Sequence, residues 1–233
     1  YKNKNWDILS EENAKFLKNN CDLNLDFLWI LDPLDGTRDF LQGTLNYAMH
    51  LGLCFKQKSF LGVVLIPARD ELWIANGKEI WGERRDGTFL KPNLSQNRFL
   101  SEMTVVTSKN HRNDTLENLI NRIPFKKRKI MGSVGCKIAS ILRGESDIYI
   151  SISLPGQSAP KDWDFAAPEA ILRAAGGAIT NLENEELTYI SNPRNEQKGI
   201  IIASNDKQNH GYICQQIKEI IEKYDIFPLN KLS

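Results

Sequence analysis

The stretch Asp32-Pro33-Leu34-Asp35-Gly36-Thr37 restricts this chain most, because it follows directly on an apolar run at 27–31. That run is too short for a helix and rich in aromatic and Ile residues, so it reads as a buried strand. Proline has no N–H to give to a sheet, which predicts that the strand ends at Pro33. Asp32 and Asp35 then stand at its mouth, where two carboxylates repel each other unless protons or cations intervene. Hard oxygen donors suit Mg²⁺, which is held by a few carboxylates together with water and substrate phosphate. Gly36 lets a ligand come close to the backbone. Thr37 fits as the N-cap of a short helix, and a helix start offers free N–H groups to an anion. Asp-Pro and Asp-Gly pairs also form plain turns, so the local chemistry alone leaves both readings open.

The rest of the chain narrows the class. Its 233 residues suffice for one large domain or two lobes with a sizeable core. A net charge of +1 gives no field that would draw a nucleic-acid polymer or an anionic membrane. No apolar run approaches the ~18 residues of a membrane span, and Tyr1-Lys2-Asn3-Lys4 carries no apolar leader core. Cys21, Cys54, Cys136 and Cys214 are scattered without a Cys-x-x-Cys pair. They read as reduced thiols of a cytoplasmic protein, not as disulfides or a zinc site.

Alternating or apolar segments predict strands at 46–55, 59–66 and 72–75, with hairpin turns at 56–58, Gly77 and Asp86-Gly87. Such a meander implies an antiparallel sheet covered by helices. A boundary near Lys91-Pro92-Asn93 divides the chain into an α+β lobe over 1–95 and an α/β lobe over 96–233. Beyond it, the pattern predicts a strand at 103–107, a helix at 114–122, a helix after Met131-Gly132-Ser133, strands at 147–152, 178–181 and 199–203, and a last helix at 208–223. The basic residues Lys126, Lys127, Arg128 and Lys129 read as a solvated strand edge, with attraction of an anionic substrate as the alternative. A helix is expected to begin at Asp164, where a carboxylate is favoured, and to stop at Gly176-Gly177.

Two motifs together carry a resemblance. Asp32-Pro33-Leu34-Asp35-Gly36-Thr37 with Phe40, and Trp163-Asp164-Phe165-Ala166-Ala167 followed by Ala175-Gly176-Gly177, resemble the two signatures of the inositol monophosphatase-like, metal-dependent phosphatases. The resemblance implies an α+β fold, a layered sandwich of the fructose-1,6-bisphosphatase/inositol monophosphatase type. It implies two or three Mg²⁺ ions held by Glu11, Asp32, the Leu34 carbonyl, Asp35 and Asp164, with Asp32 shared between ions. Glu11 matches the first of a family Glu-Glu pair; without the resemblance, Glu11-Glu12 reads as a solvated loop. By the same likeness Gly36 and Thr37 receive the phosphate, Thr37 orients the attacking water, and a small phosphorylated molecule is the substrate.

Within the family the chain is most similar to the 3′(2′),5′-bisphosphate nucleotidases. Ser108 and His111 match a Ser-x-x-His segment near the nucleotide, and Gly132, Ser133 and Lys137 match a substrate loop. His111 could instead be a surface residue, and Lys137 a solvated helix charge. The implied reaction converts adenosine 3′,5′-bisphosphate to AMP and phosphate, a lithium-sensitive step linked to sulfate assimilation. Rival readings are an inositol-1-phosphatase and a non-catalytic nucleotide-binding remnant. The likeness departs after Tyr149, where relatives often carry an Arg and this chain has Ile150-Ser151-Ile152; Lys161 or Arg143 are the candidate replacements. Relatives also carry several tens of residues before the first acidic segment, including an acidic catalytic position, so the chain is expected to be a fragment lacking them.

Overall fold

The computed structural model describes residues 6–14, 26–95, 99–109 and 114–227. Two sheets organise them. The first has seven strands in sequence order: β1 (Trp6–Ser10), β2 (Phe27–Asp35), β3 (Ala48–Phe55), β4 (Lys58–Ile66), β5 (Glu71–Ala75), β6 (Ile80–Arg84) and β7 (Phe89–Leu90). β1 runs parallel to β2, and every later pair is antiparallel. The tight β3–β4 hairpin turns on Lys56 and Gln57, both at positive φ. Inward and outward positions alternate along β3, where Ala48, His50, Gly52 and Cys54 are buried, as the period of two demands.

The second sheet has the order β11 (Ala178–Asn181), β12 (Gly199–Ser204), β10 (Ile148–Ser153), β8 (Thr104–Ser108), β9 (Lys127–Met131). β10 is buried along its whole length because both of its faces are covered. Tyr149 joins the core shared with the first sheet, while Ile148, Ile150 and Ile152 join a second core with α2 (Asp114–Arg122) and α5 (His210–Lys223). Between the sheets lie α3 (Val134–Leu142) and α4 (Asp162–Ala174). The result is the α+β layered sandwich that the motifs implied.

Glycine sets how closely α4 approaches the first sheet. A methyl group at Gly62 would run into the Ala167 carbonyl, and one at Gly52 would stand 2.9 Å from the Ala166 side chain. Their bareness lets α4 lie almost backbone to backbone on β3 and β4, and so fixes where Asp164 sits over the strand ends.

Three local expectations change. β2 does not stop at Pro33 but continues to Asp35. Asp32 pairs with His50 and Asp35 with Ala48, so three steps on β2 face two on β3. This bulge holds Pro33 where its missing N–H costs no ladder bond. The helix α1 (Thr37–Leu41) is capped by Gly36 at φ 87, not by Thr37, which is its first residue. Lastly, α4 begins at Asp162 rather than Asp164, with Lys161 as its cap and the Asp164 carboxylate at the third helical position reaching back to the Lys161 N–H. The basic run around Lys127 forms the edge strand β9, with Arg128 paired to Glu117 and Lys129 to Glu145. Cys54, Cys136 and Cys214 are buried free thiols; Cys21 lies outside the described residues.

Candidate metal centre

Parallel pairing of β1 and β2 puts both carboxyl ends at the same edge of the first sheet. Ser10 lies opposite Leu31, so the chain leaving β1 passes beside Asp32. Ser10 and Asn13 exchange hydrogen bonds across this turn, the Ser10 N–H donating at 2.6 Å and the Asn13 N–H at 3.2 Å. Glu11 and Glu12 are exposed on it.

Asp32, Asp35 and Asp164 converge: each offers a carboxylate oxygen, and the three oxygens lie within 4.8 Å of one another. Glu11 stands outside this set at its lip. The Leu34 N–H donates to Asp32 Oδ1 at 3.0 Å, which holds the acid across the bulge. Asp35 Oδ2 accepts the Ser133 hydroxyl at 2.6 Å and the Gly135 N–H at 3.2 Å. Ser133 caps α3 as well, accepting from the Cys136 N–H at 3.1 Å. Asp164, in the first turn of α4, accepts the Lys161 N–H on Oδ2 at 2.5 Å, the reach of a capping-box acid back to its cap. Each of the three acids thus spends one oxygen on the fold and has a second for a ligand.

Burial, followed by the charge of its neighbours Asp35 and Asp164, pushes the Asp32 carboxyl well above its usual range. Burial, then the Asp35 charge, raises Asp164 against the opposing Lys161 hydrogen bond. Partial burial, then Glu12 and Asp35, raises Glu11. Three hard oxygen ligands whose mutual repulsion already favours proton uptake fit a divalent cation of the Mg²⁺ type.

His50 is fully buried under the cluster, and sequence reasoning missed it. Nδ1 lies 3.2 Å from the Trp163 carbonyl oxygen. Nε2 lies 3.3 Å from Asp35 Oδ2, without hydrogen-bond alignment. Burial lowers its pKa against the pull of Asp35. The signal was present in the alternation of β3, which turns this polar residue to the inner face. Asp39 is buried as well: it accepts the Thr44 hydroxyl at 2.6 Å and meets Lys109 Nζ at 3.5 Å, anchoring α1.

The remaining expected site residues divide. The Thr37 hydroxyl donates to the Leu34 carbonyl at 3.1 Å, so these two are in contact beside the acids. Gly36 starts α1, and a methyl group there would stand 2.7 Å from the Asn46 carbonyl oxygen. Lys137 is not a solvated helix charge: it is fully buried, donating to Ser108 Oγ at 3.0 Å and to the Gly132 carbonyl at 2.8 Å. Burial draws its pKa down to about 8 against the nearby charges of Asp35 and Asp164. His111 lies outside the described residues. Arg143 is held by Glu71 and Glu145, and Lys161 by Glu196, so both cations considered for the missing Arg are engaged within the fold.

Known proteins share this plan. The inositol monophosphatase family model matches residues 3–222. A 3′(2′),5′-bisphosphate nucleotidase CysQ of Buchnera aphidicola is 33% identical over 71% of this chain and 59% of its own length. An inositol-1-monophosphatase of Bacillus subtilis is 29% identical over 71% of this chain and 60% of its own length. The solved inositol monophosphatase II of Staphylococcus aureus superposes with a TM-score of 0.72 at 25% identity, covering 95% of this chain and 77% of that one. The chain therefore spans about three fifths of the length of these curated relatives. With both motifs, the layered sandwich and the matched span in agreement, the chain belongs to the inositol monophosphatase family.

Proposed function

We propose that this chain hydrolyses phosphate monoesters with Mg²⁺, and that its substrate is a nucleoside 3′(2′),5′-bisphosphate, adenosine 3′,5′-bisphosphate giving AMP and phosphate. The observation that carries the hydrolytic reading is the meeting of Asp32, Asp35 and Asp164, two from a strand end and one from a helix start far along the chain. Glu11, Asp32, the Leu34 carbonyl, Asp35 and Asp164 would hold two or three ions, which would neutralise phosphoryl charge and make water a better nucleophile.

The chain's own groups do the rest. The N–H groups of Gly36 and Thr37 receive the phosphoryl oxygens. Thr37 donates its hydroxyl hydrogen bond to the Leu34 carbonyl, which leaves its oxygen free to accept a hydrogen bond from the attacking water and orient it. The proton that the water loses passes to solvent. The water oxygen forms the new bond to phosphorus as the bond to the 3′ oxygen breaks, and the leaving oxygen gains a proton from solvent. Ser108, His111, Gly132, Ser133 and Lys137 shape the nucleotide side, with the buried ammonium of Lys137 supplying fixed positive potential.

The nucleotide reading is supported by the Buchnera relative's name; the names of the Bacillus and Staphylococcus proteins favour inositol phosphate as the second reading. Phosphate release from adenosine 3′,5′-bisphosphate and from inositol 1-phosphate, measured side by side with Mg²⁺, separates them. A kcat/KM at least about tenfold higher on the nucleotide is expected, since a site built to bind a polar substrate group rejects ligands lacking it. The reverse ratio replaces the substrate. Nucleotide binding without release from either compound turns the protein into a binding remnant.

A further inference from the structure

His50 touches every segment that delivers an acid to the cluster. Its backbone pairs with Asp32 across β2 and β3. Its ring is fully buried, with Nε2 3.3 Å from Asp35 Oδ2 and Nδ1 3.2 Å from the carbonyl of Trp163, the residue before Asp164. The ring is also tightly seated, since a methyl group at Gly135 would collide with Nε2. Gly135 in turn donates to the same Asp35 oxygen at 3.2 Å. One imidazole therefore fills the space between a strand end and a helix start that meet only through tertiary packing.

We propose that His50 is a positioning residue of the metal centre: it sets the separation between the Asp32/Asp35 turn and Asp164, and thereby the affinity for divalent ions. This rests on the metal reading above. An aliphatic side chain fills similar volume but has no polar atom to face the Trp163 carbonyl or the Asp35 carboxylate. The Trp163 carbonyl would lose that contact, Asp35 would keep only its bonds from Ser133 and Gly135, and the three carboxylates would lose their common spacing. Groups that hold metal-binding side chains in place matter to metal affinity at the level of 10–100-fold.

The test measures binding of Mn²⁺, standing in for Mg²⁺, by electron paramagnetic resonance on the parent chain, His50→Leu and His50→Gln, with circular dichroism to follow folding. The parent is expected to bind. His50→Leu is expected to fold and lose about 10–100-fold in affinity, and His50→Gln, which keeps reach and polar atoms, to recover most of it. A folded His50→Leu that binds as tightly as the parent overturns the positioning role and leaves the metal reading standing. His50→Gln as weak as His50→Leu overturns the part assigned to the contacts with Trp163 and Asp35 and leaves the positioning to the shape of the ring. Should His50→Leu not fold, His50→Asn, too short to face both partners, replaces it under the same expectations. Absence of Mn²⁺ uptake by the parent overturns the metal reading and this inference together.

Discussion

The Ser133 hydroxyl donates to Asp35 Oδ2 at 2.6 Å, although 98 residues separate the two in sequence. The same oxygen atom of Ser133 accepts from the Cys136 N–H and so starts α3. One hydroxyl thus couples a helix cap to an acid of the candidate metal centre. Removing it in Ser133→Ala withdraws a cap and a hydrogen bond to a buried carboxylate, for a combined loss of about 2–3 kcal/mol. Urea unfolding should show a lower midpoint with little change in m. A midpoint unchanged within error would mean that solvent replaces the hydroxyl at no cost.

Asp35→Asn keeps the size of the side chain and can still accept the Ser133 and Gly135 hydrogen bonds through its carbonyl oxygen. It loses the charge that a cation needs. Phosphate release should fall at least about 100-fold, in the range seen when a group acting on the reacting centre is lost, while the circular dichroism spectrum stays that of the parent. Turnover at the parent's rate would remove Asp35 from the reaction.

What the sequence disclosed follows the range of the interactions. The acids and the helix start of the Asp32–Thr37 turn could be read because they are neighbours in the chain, whereas the bulge that carries β2 past Pro33 and the cap at Gly36 could not, since both depend on pairing with β3 and on backbone conformation. The α4 start lies two residues before the expected one because Asp164 acts from the third helical position on the Lys161 N–H, and the buried Asp162 ahead of it is matched by Ile190 and Gln197, 28 and 35 residues later. Lys137 stayed open between substrate contact and solvated charge because a helix between two sheets buries all nine of its residues, and helical periodicity cannot show that. The alternation of β3 turns His50 inward, but what it faces there could not be read, because its Nδ1 neighbour, Trp163, lies 113 residues away.

Metal binding should become more stabilising as pH rises. Without a cation, burial and mutual repulsion lift the carboxyls of Asp32 and Asp164 well above their ordinary values near 3.8. The folded chain therefore holds protons in this window that the unfolded chain has released. These two groups favour the folded state below the ordinary carboxylate pKa, and that contribution is lost as pH rises through their folded values. Mg²⁺ replaces those protons. Melting curves with Mg²⁺ and with EDTA should diverge from about pH 5 to about pH 8, reaching about 5 °C or more at saturating metal. An increment equal at both ends of that range would show that the ion does not displace protons from these acids.

His210 gives a pH response of opposite sign, remote from the acids. It is 1% exposed, with Nδ1 2.7 Å from Ser204 Oγ and Nε2 2.8 Å from Thr180 Oγ1. Burial lowers its pKa from 6.5 to about 4. Between those values the unfolded chain binds a proton that the folded chain refuses. The stability it contributes is complete above the unfolded value and is lost as pH falls through the folded one. Over the whole window this amounts to about 3 kcal/mol. His210→Gln keeps hydrogen-bonding atoms near both hydroxyls and removes the titration. Urea denaturation of parent and variant should therefore show the parent's advantage shrinking, or reversing, from about pH 7.5 to about pH 4.5. A difference between the two that stays constant across that range would place the acid sensitivity of the fold elsewhere.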